Sequence, residues 1–249
     1  MGTPIIGSRP GSWCPRYTLR PVPFEGFPRE GLSFLDQLAR HNERDWFEAH
    51  RVVWDEQIVP AMLSWCGELC EALRDVMPRL VFVPRIGGSL YRLNRDIRFS
   101  RDKSPYKTHV AALLWEGGDK HDAPGVYLHV SPTEVIFGGG IWIFEQEGRL
   151  DRYRKRLQDE ASADRLEAAL SHARRAGLKI EAAEQLQRPP RPFTPEHPRA
   201  ALSRYKGLTV GKQSSPGAWL HSREALRRSE AVARAYAPLH TWLRDEVCA

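Results

Sequence analysis

Val110-Ala111-Ala112-Leu113-Leu114-Trp115, then Val126-Tyr127-Leu128-His129-Val130, then Glu134-Val135-Ile136-Phe137-Gly138-Gly139-Gly140-Ile141-Trp142-Ile143-Phe144: the fold is decided in these three runs. Each is rich in β-branched and aromatic residues and is bounded by Gly, Pro or Asp clusters, the pattern of strands. The connections between them are short. Parallel crossovers need about a dozen residues or more, so antiparallel pairing is predicted. Upstream, Val81–Val83 and Ser89–Phe99 add two further expected strands. The glycine triplet Gly138–Gly140 marks either a bulge or a close approach by another part of the backbone.

Helical periodicity lies on both sides of this block. Leu32, Phe34, Leu35 and Leu38 share a face over 30–41. A second helix is predicted from Asp45 to Ile58, with Pro60 kinking or restarting it, and the restarted helix ends at Pro78. Helices are expected again at Glu147–Leu157, Ala163–Arg175, Pro198–Tyr205 and Ser222–Val247, the last strained at Pro238, with a strand at Leu208–Val210 and a loop over 188–198. Strands grouped between helical blocks give an α+β fold, with a mostly antiparallel sheet and N- and C-terminal helices packed on it, in one domain over 25–249. Residues 1–24 are rich in Pro and Gly and read as an extended arm.

Composition narrows the class. The 249 residues are 41% hydrophobic and 27% charged, ordinary values for a globular protein. No uninterrupted apolar stretch reaches membrane-spanning length, and no secretory leader pattern opens the chain, so a cytoplasmic protein without a membrane partner is expected. Cys66 and Cys70, four apart in a helix, read as small core residues because no further metal ligands are near them. No cofactor is expected either. The phosphate-binding loop, the dinucleotide glycine fingerprint, the nucleophile elbow and the zinc-protease helix motif are all missing from the sequence.

Charge is the chain's most uneven property. From Arg85 to Lys107 seven basic residues stand with two acidic ones, a net +5 against +6 for the whole protein. A global excess of Arg over Lys is a common by-product of a GC-rich genome, but codon bias does not gather the charge in one place. Crowded cations repel unless something anionic sits among them. If Leu90–Phe99 is a strand, Tyr91, Leu93, Arg95, Ile97 and Phe99 share one face, and Arg92, Asn94, Asp96 and Arg98 the other. Arg95 is then partly desolvated and needs an anion, while Asp96 orients Arg92 and Arg98. Ser104-Pro105 turns the chain, bringing Lys103, Tyr106 and Lys107 back. Arg95, Arg98 and Lys103 lead the candidates for gripping a phosphate, sulfate or carboxylate, with Arg92 and Lys107 beside them. The competing reading is a salt-bridge network pinning strand to loop.

The run Arg92-Leu-Asn-Arg95-Asp96-Ile-Arg98-Phe99-Ser-Arg-Asp102-Lys103-Ser-Pro105-Tyr106-Lys107 closely resembles the signature of a widespread family, domain of unknown function 2461. Phe34-Leu35, Leu38, Asn42 and Trp46-Phe47 look like that family's first helices, Ala123–Val130 and Gly138–Gly140 like its central strands, and His197-Pro198 with Tyr205-Lys206-Gly207-Leu208 like its late segment. The resemblance covers about residues 25–245 and departs at His41, where the family often has Asn. It implies an α+β domain and lends no activity.

Other residues join the candidate site. Tyr127 and His129 share a strand face, and His129, Tyr106 and Asp96 are the candidates for handling a proton. Lys206 is either a further cation or solvated, and Trp46 with Asn42 either lines a pocket mouth or belongs to the helix core. His121 and Asp122 read as solvated loop residues. Two acids among seven cations make a poor metal site, so no metal is expected. Three functions remain open: an enzyme or binder acting on a small anionic metabolite, by displacement or elimination of phosphate or sulfate in its sharpest form; a nucleic-acid-binding or -processing protein; and a non-catalytic interaction module with an undefined protein partner.

Overall fold

The structure is a computed structural model that describes residues 22–117, 120 and 123–249. Most of the predicted extended arm, together with Cys14, His121 and Asp122, lies outside the described residues. Within them, Phe24 is already buried, stacked on Trp65 at 4.8 Å, and its N–H donates to Glu68.

Seven α-helices and six strands are described. α1 (Arg29–Arg40) follows Pro28 and buries Phe34, Leu35 and Leu38, the face that its spacing predicts. α2 (Arg44–Val53) runs through a π-turn, Trp54–Ile58, into α3 (Val59–Ala72). Pro60 has no N–H to give the fourth carbonyl back, so the expected kink takes this form: the Val59 N–H reaches back to Trp54 O in a widened turn. β1 (Leu80–Val81), β2 (Val110–Glu116), β3 (Gly125–Val130) and β4 (Val135–Ile141) follow. After them come α4 (Arg149–Gln158), α5 (Glu160–Arg175), β5 (Lys179–Glu181), α6 (Ala200–Ser203), β6 (Leu208–Ser214) and α7 (Glu224–Trp242). β5 and the short 3-10 turn Ala218–His221 carry no periodic signal in the sequence. Among the described residues no helix is long and apolar enough to cross a membrane.

The sheet is antiparallel throughout, in the order β1-β2-β3-β4-β6-β5, as expected of an α+β fold. Its register is regular across the glycine triplet, so the bulge alternative is excluded. The triplet instead admits α7. A Cβ on Gly139 would lie 2.2 Å from the Tyr236 hydroxyl oxygen, and that hydroxyl donates to Gly125 O at 2.6 Å. Gly140 has φ +121, outside the range that side chains tolerate. By register Gly125 faces Gly140 across β3 and β4, and Gly138 faces Gly211 across β4 and β6, two glycine pairs in neighbouring rows of one sheet face.

Strand parity assigns the faces. Val126, Leu128, Val135 and Phe137 are buried on the helix side, where Phe137 meets Trp65 edge-on at 5.5 Å. The Trp65 indole N–H is satisfied by Ser229 Oγ of α7 at 3.0 Å. The opposite face carries Trp115, Tyr127, His129 and Gly138, and on it Leu113, Tyr127 and Ile136 stay partly exposed.

Candidate functional site

The basic run does not form the predicted strand over Ser89–Phe99. Backbone bonds Leu113 N–H to Ser89 O (2.9 Å) and Tyr91 N–H to Ala111 O (2.9 Å) start a ladder along the β2 edge. Lys107 N–H to Leu93 O (2.8 Å) and Arg95 N–H to Pro105 O (2.9 Å) continue it. Between the two pairs the return limb has two more residues than the outgoing limb, which breaks the ladder. The result is a bulged hairpin whose tip, residues 96–104, has no strand structure. The predicted alternation survives only part of the way: Leu93 is buried and Arg95 and Ile97 are half-buried, while Arg92, Asn94, Asp96 and Arg98 are exposed. Phe99, expected on the sheltered face, is 95% exposed, because the chain has left the extended conformation before reaching it.

Within the tip the cations turn on local partners. Arg95 pairs with Asp102 and also donates to Ser104 O at 3.2 Å. The Asp102 carboxyl accepts from the Ser104 hydroxyl at 2.7 Å and its N–H at 2.9 Å; these bonds, with Arg95, push its pKa down to about 2. Arg98 pairs with Asp96 at 2.7 Å, which lowers the Asp96 pKa. Asp96 makes no bond to Arg92, contrary to expectation, and stands exposed. Lys103 Nζ donates to Ile97 O at 3.0 Å. The Arg95–Asp102 and Arg98–Asp96 pairs therefore brace the loop. Among the described residues Arg92 and Arg101 have no ion pair.

Three further candidates sit on the helix side. Tyr106 exchanges two backbone–side-chain bonds with Asn42, both 3.0 Å, and its buried ring stacks on Phe47 at 4.5 Å. Burial raises the Tyr106 hydroxyl pKa. This contact pins the hairpin to the α1–α2 corner, where Trp46 stacks against His50 at 4.1 Å. Lys206 is elsewhere, paired with Glu184 at 2.9 Å, its carbonyl accepting from Phe144 beyond the end of β4.

What the fold does bring together lies on the face without helices. Tyr127 Oη is 3.2 Å from His129 Nδ1, and the His129 ring stacks on His109 at 4.3 Å. Glu134 Oε1 is 3.6 Å from His129 Nε2. Tyr91 meets Tyr127 edge-on at 6.5 Å. Two lysines stand over the Tyr91 ring, Lys120 at 3.8 Å and Lys107 at 5.6 Å; Lys120 also lies 5.9 Å from Trp115 and donates to Gly88 O. Burial pushes the Lys120 pKa down to about 8 and lowers that of Lys107. It pushes His129 to about 4, and His109 to about 4 with help from His129 and Lys107, so both rings are neutral at pH 7. Burial raises the Tyr127 hydroxyl to about 12.

Sequence reasoning found Tyr127, His129 and Lys107 of this group but passed over Tyr91, Trp115 and Lys120 as site residues. Lys120 comes from the Gly/Asp loop after β2, which has no periodicity to betray where its side chain goes. Tyr91 carried a usable signal, since parity put it with the sheltered residues of the run. Among the described residues no group of three or more His, Cys, Asp or Glu is placed to hold a metal ion.

A family model described as a conserved hypothetical protein, domain of unknown function 2461, matches residues 30–242. No curated protein and no solved structure matches the chain. The matched span takes in the whole sheet, the hairpin and both lysines of the open face, and with it the chain belongs to the domain of unknown function 2461 family.

Proposed function

We propose that the protein binds a small anionic metabolite, phosphorylated, sulfated or carboxylated, on the open face of its sheet. The observation that carries this reading is the convergence of Lys107 and Lys120 over one tyrosine ring with no carboxylate paired to either among the described residues. Two half-buried ammonium groups side by side are unfavourable until an anion stands between them. Tyr91 supplies a flat floor, and cation–π attraction holds each lysine at about 0.5–1 kcal/mol.

The sharper form of the reading is chemical. Lys107 and Lys120 stabilise the charge that builds on a departing phosphate or sulfate. The neutral His129 is held by Tyr127 through its Nδ1 on the same face. In this arrangement the tip arginines position the hairpin and do not touch the ligand.

The test is a thermal-shift titration with phosphate, sulfate, nucleotides and sulfated or phosphorylated metabolites. Saturation at about 100 times Kd stabilises a protein by about 2.7 kcal/mol. Lys107→Gln and Lys120→Gln should abolish the response, and Lys206→Gln should retain it. A wild-type protein that responds to none of these anions sinks the proposal.

A further inference from the structure

The hairpin tip presents a hydrophobic ring to solvent on a braced support. Phe99 is 95% exposed, and the Arg98 guanidinium lies 5.8 Å from its ring centroid. The loop beneath is held by Arg95–Asp102, by Ser104 on Asp102 and by Lys103 on Ile97 O. An exposed phenylalanine at the end of a slack loop folds back onto the nearest apolar surface. Here the bracing prevents that, and the ring is displayed. Residues 92–107 carry six basic and two acidic side chains; each acid is paired with one arginine, which leaves Arg92 and Arg101 as exposed cations without an ion pair among the described residues.

We propose that this tip docks on single-stranded nucleic acid, with Phe99 stacking on one base and Arg92 and Arg101 contacting the flanking phosphates. The combination fits that ligand better than the other anionic surfaces. Aromatic rings stack on any base, and arginines track the backbone, without a pocket being needed. A lipid surface requires a wider apolar anchor than one ring, since Ile97 beside it is half-buried and tied into the tip. The tip site is independent of the open-face lysines, because none of its residues contacts them.

Fluorescence anisotropy with labelled oligo-dT and oligo-U 12-mers tests this on the full chain. Wild type should bind with a log Kd against log salt slope of about 1.4, from two phosphate contacts at about 0.7 each. Phe99→Ala should weaken binding about 5- to 100-fold, the range for one lost base–aromatic stack. Because Phe99 is almost fully exposed, the variant should keep the wild-type melting temperature, so a loss of binding is not a loss of fold. Lys206→Gln, remote from both sites, should bind the oligomers as wild type does. No oligomer binding at low salt, or Phe99→Ala binding unchanged, overturns the proposal, as does capture by anionic vesicles alone.

Discussion

Replacing Lys120 with methionine should make the protein more stable at neutral pH while removing its response to anions. The Lys120 pKa falls from 10.5 to about 8 because burial disfavours the ammonium. Undamped, at about 1.36 kcal/mol per pH unit, this is a burden of about 3 kcal/mol on the folded state. The group is only half-buried, so solvent screening reduces the figure to about 1–2 kcal/mol. Methionine keeps the length of the side chain but gives up the cation–π contact with Tyr91, worth about 0.5–1 kcal/mol. The net gain is about 1 kcal/mol at pH 7, which raises Tm by about 2–4 °C in a chain of this size. The pH dependence identifies the cause. Between about pH 8 and 10.5 the unfolded chain holds the proton and the folded chain releases it, so wild-type stability rises across this window. Below pH 8 both states are protonated and the burden is complete. The advantage of Lys120→Met should therefore be largest below pH 8 and gone by about pH 10.5. Urea unfolding of both proteins at pH 7 and pH 10 measures it. A methionine variant less stable than wild type at pH 7 would show that the lysine holds the loop in place. An advantage equal at both pH values would refute the charge argument.

The same logic with the opposite pH window applies to the histidines. Both His109 and His129 titrate near 4 in the fold against 6.5 in the free side chain, so stability should fall as pH drops from 6.5 towards 4. Urea midpoints across that range should show the loss, and His129→Gln should flatten it; an equally steep profile would place the acid sensitivity elsewhere. Gly139→Ala brings a methyl within 2.2 Å of both Tyr236 and the β3 backbone, and relief requires breaking the Tyr236–Gly125 bond. Overpacking and an orphaned carbonyl together should destabilise by about 3–5 kcal/mol in chemical denaturation, and a loss under 1 kcal/mol would mean that α7 yields more easily than the contact implies.

The sheet was legible because Val110–Trp115 and Val126–Val130 combine β-branched content with short connections, two local signals that agree with the tertiary arrangement. The glycine triplet was half legible: its composition demanded a close approach, but only the fold shows that Tyr236, almost a hundred residues later, makes it. The basic run failed as a strand because two extra residues on its return limb shift the register, and no single limb shows such a mismatch. The site was harder to read for a related reason. A cluster of charge in sequence says that anions are near, and here the nearest ones are Asp96 and Asp102. The two lysines of the open face are Lys107 and Lys120, thirteen residues further on, and only the fold brings them over one ring.

Beside Gly139, which leaves room for α7, the pairs Gly125–Gly140 and Gly138–Gly211 have a mechanical meaning of their own. Pleated strands stiffen one another through cross-strand side-chain pairs, and at Gly125–Gly140 and Gly138–Gly211 those pairs are missing. Gly140 adds a φ of +121, a backbone conformation that a side chain would not hold. The four positions share the face that carries Tyr127 and His129, and they present backbone there where their neighbours present side chains.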